Sequence, residues 1–220
     1  MVKCPASCGE DTTKLSLTGI LLGQAAVAVL AVLVLSGEYS SGMIRITLTA
    51  VPRRATALAA KAIIVTCVVL AAGTVAAAGS VLTGRLILPG NGFTAAHGFL
   101  PLSLADGPTL RAAAGSVLYL ALIALLSLGL ATALRDSGAT ITVVLGLLYI
   151  VPVLTDLGTL DPNWERRFQQ YGPTTAGLAI QATKNLKNLP IGPWQGLGVL
   201  AAWAAAALLA GGLLLRLRDA

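Results

Sequence analysis

Five apolar runs, each long enough to cross a lipid bilayer, constrain this chain more than any other feature of its sequence. They cover residues 15–36, 59–82, 112–134, 139–157 and 196–215. About 20 apolar residues cross a hydrocarbon layer roughly 30 Å thick, and a lone segment in lipid satisfies its backbone hydrogen bonds only as a helix. Barrel strands would instead alternate polar and apolar residues, which these runs do not do. The sequence therefore predicts an all-α, polytopic transmembrane bundle that forms one domain over residues 1–220.

Composition agrees with this interpretation and excludes several classes of function. Hydrophobic residues make up 56% of the chain and charged residues only 11%, whereas a soluble domain carries roughly a quarter charged residues. The formal charge of +6 comes from Lys and Arg residues beside the apolar runs rather than from a continuous basic stripe. We therefore expect contact with membrane lipid and no nucleic-acid partner.

The sequence offers no set of residues suited to catalysis or to a metal site. Cys67 lies inside an apolar run, and the only histidine, His97, has no cysteine or carboxylate cluster nearby. Cys4 and Cys8 would be able to form a disulfide if the N-terminus faces outside. The chain also lacks the Gly-x-x-x-x-Gly-Lys-Ser/Thr phosphate loop of ATP-hydrolysing proteins. We expect no cofactor, no metal and no enzymatic activity, and an intramembrane enzyme remains only a remote alternative.

Polar side chains are few within the apolar runs. Those that would line a pathway or bind a neighbouring helix are Gln24, Thr66, Tyr119 and Tyr149. No Asp, Glu or Arg lies deep in a run, although ion-coupled transporters normally need such a group near the midplane. This favours an ATP-driven device that moves an apolar or amphipathic molecule. Gly19 and Gly23 predict a close helix–helix contact, as does the thin surface at residues 210–212, and Pro152 predicts a kink in the fourth run.

Basic residues in the short connections set the expected orientation. Arg135 lies in a predicted tight turn over residues 135–138, and Arg216 and Arg218 end the chain. Together with the arginines between the first two runs, they favour an external N-terminus and a cytoplasmic C-terminus. The last long loop mixes Trp164 and Arg167 with further apolar residues, which is typical of an amphipathic segment that lies at the outer interface or re-enters the membrane partway.

Between the first two runs lies a polar segment, Gly37–Arg54, which we call the connector. Its apolar residues Ile44, Leu48 and Val51 are spaced for one face of a helix, which Ser40 or Ser41 would cap and Pro52 would end. Such a helix lies in the membrane interface or docks on a soluble partner. An ordinary solvated loop is the alternative.

The connector resembles the type-2 permeases of ABC (ATP-binding cassette) transporters. These proteins carry a Glu-aromatic-small-small-Gly-Thr-Ile-Arg stretch after a membrane helix, then a Leu, a Pro-Arg-Arg-like run, and a Lys that opens the next helix. The matching residues are Glu38, Tyr39, Gly42, Ile44, Arg45, Leu48, Pro52, Arg53, Arg54 and Lys61. Met43 departs from the pattern, since Thr is common there.

The resemblance implies a membrane-spanning subunit of an ATP-driven exporter in the bacterial cytoplasmic membrane. Two permease subunits, identical or different, would pair, and each would dock on a separate ATPase through Glu38, Tyr39, Gly42, Ile44, Arg45, Leu48, Pro52, Arg53 and Arg54. The last two of these, with Lys61, would alternatively anchor the second run to anionic lipid. Family members have six spans. The resemblance aligns the first apolar run of this chain with the family's second span. It also implies a pair of short re-entrant helices before the last span.

The cargo implied by the resemblance is a drug, an antibiotic, a peptide or a lipid-like molecule, and self-protection by antibiotic resistance is one role of such exporters. The alternative is a non-transporting membrane immunity or assembly factor that acts through partner binding at the connector.

Overall fold

The computed structural model describes residues 11–40, 54–91, 93, 103, 105–156, 161–184, 186 and 189–218, all but a few of them in helices. The α-helices are α1 (Thr12–Ser16), α2 (Ile20–Ser40), α3 (Arg54–Ile87), α4 (Gly107–Leu134), α5 (Ser137–Leu145), α6 (Val151–Asp156), α7 (Pro162–Tyr171), α8 (Pro173–Leu178) and α9 (Pro193–Arg218). Short 3-10 helices cover Leu88–Asn91 and Ala179–Gln181, and a π-helical turn covers Gly146–Ile150. The described residues contain no strand, which confirms the predicted all-α class.

Four helical stretches of the described chain are long and apolar enough to cross a membrane, namely Thr56–Asn91, Gly107–Leu134, Ser137–Leu154 and Pro193–Leu214. The apolar stretch Ile20–Leu35 of α2 is shorter. These five stretches overlap the five predicted apolar runs, and all but the first are long enough to span a membrane. The fold is that of a polytopic α-helical membrane protein.

The helices alternate in direction around α4, which is the most buried of them. Val32 and Leu35 of α2 pack with Leu128 and Ala131 of α4, while Gln24 of α2 reaches the earlier Tyr119, so these two helices are parallel. Packing also makes α9 parallel to α4, and it makes α3 antiparallel to α4. The end of α2, the start of α3, the turn at Arg135 and the C-terminus of α9 therefore lie at one end of the bundle, which we call the connector end.

Helix α3 packs on α4 through a single row of residues. The buried positions of α3 recur at every fourth residue, and they are Val65, Val69, Gly73, Ala77 and Val81. Residues spaced by four form one ridge on a helix surface, and a small residue at its centre lets the partner approach. A Cβ on Gly73 would lie 3.4 Å from the Val117 side chain. The remaining faces of α3 are apolar and exposed, as a lipid-facing helix requires.

Glycine sets the closest helix contact in the bundle, but not at the predicted pair. A Cβ at Gly19 or at Gly23 would meet nothing within 4 Å, so these glycines make no close contact within the described chain. A Cβ on Gly129 of α4 would instead lie 2.5 Å from the Ala207 carbonyl carbon of α9. Gly211 packs against Thr132 in the same contact, which agrees with the thin surface predicted at residues 210–212.

The boundaries of the helices differ from the predicted runs in physically reasonable ways. The first predicted span begins at Leu15, but a turn at residues 17–19 separates α1 from α2. The Thr18 hydroxyl donates to the Leu15 carbonyl at 2.8 Å in this turn and competes with the helical backbone bonds. The second predicted run ends at residue 82, whereas α3 continues to Ile87. Helix α4 starts at Gly107 with Pro108 in its first turn. Proline is tolerated there because a backbone N–H in the first turn has no partner within the helix.

The fourth span is interrupted by a π-helical turn directly before Pro152. This proline has no backbone N–H and cannot complete the regular ladder, so a wider turn at Gly146–Ile150 precedes it. The preceding tight turn is as predicted. Arg135 adopts a left-handed conformation with φ of 58° after α4, and the Asp136 carboxylate accepts a hydrogen bond from the Ala139 N–H at 2.6 Å to cap α5.

Candidate functional site

The connector meets the described bundle at its two ends. Glu38 and Tyr39 lie in the last turn of α2, which continues to Ser40, and Arg54 is the first residue of α3. Their side chains lie outside the described part of the chain, as do Gly42, Ile44, Arg45, Leu48, Pro52 and Arg53. Ser40, predicted as a cap for a separate connector helix, is instead the last residue of α2. The long helix α2 thus leads into the connector and the long helix α3 follows it, both at one end of the bundle.

Gln24 and Tyr119, both predicted pathway residues, are brought together in the centre of the bundle. The Tyr119 hydroxyl donates a hydrogen bond to the Gln24 side-chain oxygen, and both side chains are 0% exposed. The Gln24 side-chain nitrogen is buried without a hydrogen-bond partner among the described residues. A polar pair in an apolar interior fixes the relative register of its helices because each group loses its only partner if they slide. Here the pair ties α2 to α4.

A second polar level, which the sequence did not predict as a unit, lies nearer to the start of α4. The Gln181 side-chain nitrogen donates to the Ser116 hydroxyl at 3.1 Å, and both side chains are buried. The Arg111 guanidinium donates to the Ala182 carbonyl at 2.7 Å. Ser116 is a small polar residue within the third apolar run. Nothing in the sequence signals its contact with Gln181, which lies 65 residues away.

Asp11 closes this end of the bundle by binding the segment after the short helices. Its carboxylate accepts hydrogen bonds from the Thr183 hydroxyl at 2.7 Å and from the Lys184 backbone N–H at 3.0 Å. Partial burial acts to raise the pKa of Asp11, but these bonds, with one from the Lys14 backbone N–H, outweigh it and hold the pKa below its ordinary value. The local signal was the Asp11-Thr-Thr-Lys sequence, which is typical of a helix start. The contact with Thr183 depends on the tertiary fold.

Of the other two predicted pathway residues, one lies near this pair and one does not. Tyr149 donates its hydroxyl to the Leu21 carbonyl, one turn from Gln24 on α2, so it is near the central pair. Thr66 donates to the Ala62 carbonyl of its own helix at 2.7 Å and is not part of this group. The structure therefore brings Gln24, Tyr119 and Tyr149 to one region between α2, α4 and the fourth span.

Helices α7 and α8 form a hairpin that dips into the bundle beside α9. The Trp203 indole N–H of α9 donates to the Tyr171 carbonyl at 2.9 Å, and the Ala176 carbonyl touches Gly196. Trp203 lies seven residues beyond Gly196, so the hairpin tip at Tyr171 is roughly 10 Å deeper along α9 than Ala176. From the tip, α8 returns toward the start of α9. This geometry agrees with the predicted pair of short helices before the last span.

Close contacts hold α8 in place between α4 and α9. A Cβ on Gly177 would lie 2.7 Å from the Tyr119 ring and 3.1 Å from Leu200. Gly115 of α4 is in contact with Ile180, which is fully buried. The ring of Tyr119 therefore packs on α8 while its hydroxyl binds α2, and one side chain links three helices.

Metal binding finds no support within the described ranges, since no group of three or more His, Cys, Asp or Glu side chains comes together there. Cys67 is a free, exposed cysteine on the lipid-facing side of α3. Cys4, Cys8 and His97 lie outside the described residues.

Comparisons with known proteins add no relative to this picture: no protein-family model, no curated protein and no solved structure matches the chain. The class that the fold defines is a multi-helix membrane protein.

Proposed function

We propose that this protein is the membrane-spanning permease subunit of an ATP-driven exporter in a bacterial cytoplasmic membrane. The observation that carries the proposal is the connector, whose residues Glu38 to Arg54 resemble the coupling segment of type-2 ABC permeases. The chain has no phosphate-binding loop of its own, so the energy would come from a separate ATPase subunit.

The arrangement of the helices suits a coupling element. The connector joins the end of α2 to the start of α3, and α2 continues without a break from Ser40 to Ile20. A displacement of the connector would therefore be passed along a continuous helix to Gln24 and its bond with Tyr119. From Tyr119 it would reach α8, which packs on the same ring. In this proposal an ATPase that moves the connector would alter the contact between α2, α4 and the hairpin at the far end.

The character of the spans supports an apolar or amphipathic cargo. No acidic or basic residue lies deep in a span, so the bundle lacks the charged group that would bind a cation or move a proton across the membrane. The buried polar groups are uncharged amides and hydroxyls such as Gln24 and Tyr119. We propose a drug, an antibiotic, a peptide or a lipid-like molecule as the cargo, with export protecting the cell that makes or meets it.

A second permease subunit is part of the proposal. Only 17% of the apolar window of α3 is buried within the chain, and its exposed residues are large and apolar, among them Ile64, Val68 and Val75. Such faces are covered by lipid or by another membrane helix. The permease would work as a homodimer or a heterodimer, with each copy contacting one ATPase.

Co-purification tests this function. The chain would be expressed with a candidate ABC ATPase, and Glu38→Gln and Arg45→Gln variants would be compared with Glu165→Gln and Arg85→Gln, which change matched charges at the opposite end of the bundle. We expect the connector variants to lose ATPase binding and ATP-dependent efflux by about tenfold or more, since truncating one partner of a buried charged contact costs about 2–5 kcal/mol. The two control variants should keep both activities. If the connector variants bind and export as the unaltered protein does, the coupling role is wrong. ATPase binding without any efflux would favour an assembly factor.

A further inference from the structure

Helix α7 is amphipathic, but its apolar face points outward and its polar face points toward the rest of the chain, the reverse of a surface helix in a soluble protein. Its large aromatic residues point away from the rest of the chain, with Trp164 55%, Phe168 38% and Tyr171 62% exposed. These positions are spaced by four and three residues and lie on one helical face. The polar residues Glu165, Gln169 and Gln170 are partly buried instead. The Gln170 side chain donates to the Pro190 carbonyl at 3.1 Å, which ties the polar face to the chain.

The surroundings of α7 place its aromatic face in lipid. The helix begins beside α6, where the fourth span ends, and its last residue, Tyr171, is bound to Trp203 within the last span. Trp and Tyr are the residues that favour the boundary between headgroups and hydrocarbon. An outward aromatic face at this position has the composition and the location of a surface in contact with the membrane interface.

Arg167 gives this face a preference for negative charge. It is exposed and pairs with no carboxylate in the part of the chain that the structure describes. Arg166 is also exposed, but it lies two residues from Trp164 and therefore on the opposite side of the helix. The Arg167 guanidinium lies over the Trp164 ring, 5.5 Å from its centroid. The centroids of the Trp164 and Phe168 rings are 6.3 Å apart. Stacking on an aromatic ring holds a guanidinium in place while leaving its N–H donors free for a phosphate group.

An apolar groove opens beside the tip of the hairpin. Trp203, whose indole binds the end of α7, also forms one wall of the groove. The groove has a volume of about 560 Å³ and lies between α4, the π-helical turn and α9; its other walls include Leu126, Val143, Gly146, Val151 and Ala206. Because Leu126 and Ala206 present only hydrocarbon, a flexible alkyl chain fits these walls better than a polar ligand.

We propose that α7 and this groove hold one anionic phospholipid. The phosphate binds Arg167, the ring face of Trp164 and Phe168 lies at the level of the headgroup, and one acyl chain occupies the groove below Trp203. The inference depends on the membrane-spanning fold and not on the proposed export function, because no part of it involves the connector or an ATPase.

Native mass spectrometry on protein released from nanodiscs tests the site. Nanodiscs of phosphatidylglycerol and of phosphatidylcholine would be compared for the unaltered chain, for Arg167→Gln, and for Arg85→Gln as the control. Arg85 is likewise an exposed arginine at the same end of the bundle, but it lies on α3. We expect retained phosphatidylglycerol to fall about fivefold for Arg167→Gln, since one basic residue near an anionic surface contributes about that factor. Arg85→Gln should retain it fully.

A second pair of variants tests the groove separately. Ala206→Phe would fill the groove, whereas Ala202→Phe adds the same ring to an exposed position of α9 that does not line it. We expect the first variant to lose retained lipid of either headgroup and the second to keep it. Equal retention of the two lipids by the unaltered chain, or equal loss in the Arg85→Gln control, would overturn the headgroup site. Unchanged retention in Ala206→Phe would overturn the acyl-chain site.

Discussion

Replacing Gly129 by alanine is expected to destabilise the bundle, because this glycine lets α4 and α9 touch through their backbones. The added Cβ would lie 2.5 Å from the Ala207 carbonyl carbon and 2.6 Å from the Leu208 nitrogen. Carbon atoms in contact prefer a separation of about 3.5–4.0 Å, so the helices must part by about 1 Å. A backbone cannot rotate away as a side chain can. Overpacking of this kind costs about 1–3 kcal/mol.

The opposing effect is smaller. Alanine favours a helix over glycine by up to about 1 kcal/mol, so it offsets only part of the overpacking. Gly198→Ala on α9 serves as the control, since a Cβ there would meet nothing within 4 Å. This variant should be neutral or slightly stabilised.

Reversible unfolding in mixed micelles, titrated with sodium dodecyl sulfate and followed by tryptophan fluorescence, measures the difference. Trp203 lies on α9 close to Ala207, so its emission reports the separation of this helix from α4. We expect the unfolding midpoint of Gly129→Ala to fall below that of Gly198→Ala. A Gly129→Ala variant that is as stable as Gly198→Ala would show that the two backbones are not in contact, and the packing described for α4 and α9 would be wrong.

Three further perturbations address the polar contacts. Gln24→Leu and Tyr119→Phe should each destabilise the bundle by about 1–2 kcal/mol. In a double-mutant cycle in the same micelles, the double variant should lose less stability than the sum of the two single variants. Strict additivity would mean that the hydrogen bond does not form. The pKa of Asp11 is held below its ordinary value of 3.8 by its bonds to the segment at Thr183, so its stabilising contribution is full above that value and is lost as the pH falls through the lowered pKa. Thermal unfolding of the unaltered protein and of Asp11→Asn should therefore converge in acid, whereas parallel curves at all pH values would exclude the bond. Asp136→Ala removes the cap of α5 and should cost about 1 kcal/mol in the same assay, and no loss would indicate that water replaces it.

The helices of the fold were predictable from the sequence, but most of their contacts were not. Apolar runs of bilayer length identify membrane helices because lipid leaves the backbone no other solution. The contacting face of each helix is hidden, since a span that is apolar all round shows no polar stripe. For this reason Gly19 and Gly23 looked like a packing pair, whereas Gly129 and Gly211 form the close contact.

The candidate site was predictable to a similar degree. Gln24 and Tyr119 could be selected as polar residues within spans, because such residues need partners in lipid. Their pairing with each other could not be derived, since the two residues are 95 positions apart. The turn at residues 17–19 was missed because Thr18 and Gly19 interrupt the helix without changing the apolar character of the run. In contrast, Arg135 and Asp136 indicated a tight turn through local chemistry alone.

The location of the connector decides whether an ATPase can act on this bundle. A single cysteine at Ser41, in a chain whose Cys4, Cys8 and Cys67 are replaced by serine, would be treated in intact cells with a membrane-impermeant maleimide and again after permeabilisation. We expect no labelling of intact cells and full labelling of permeabilised cells, because the proposed function requires the connector to face the cytoplasm, where ATP is hydrolysed. Labelling of intact cells would place the connector outside, and an ATP-driven role through this segment would then be impossible.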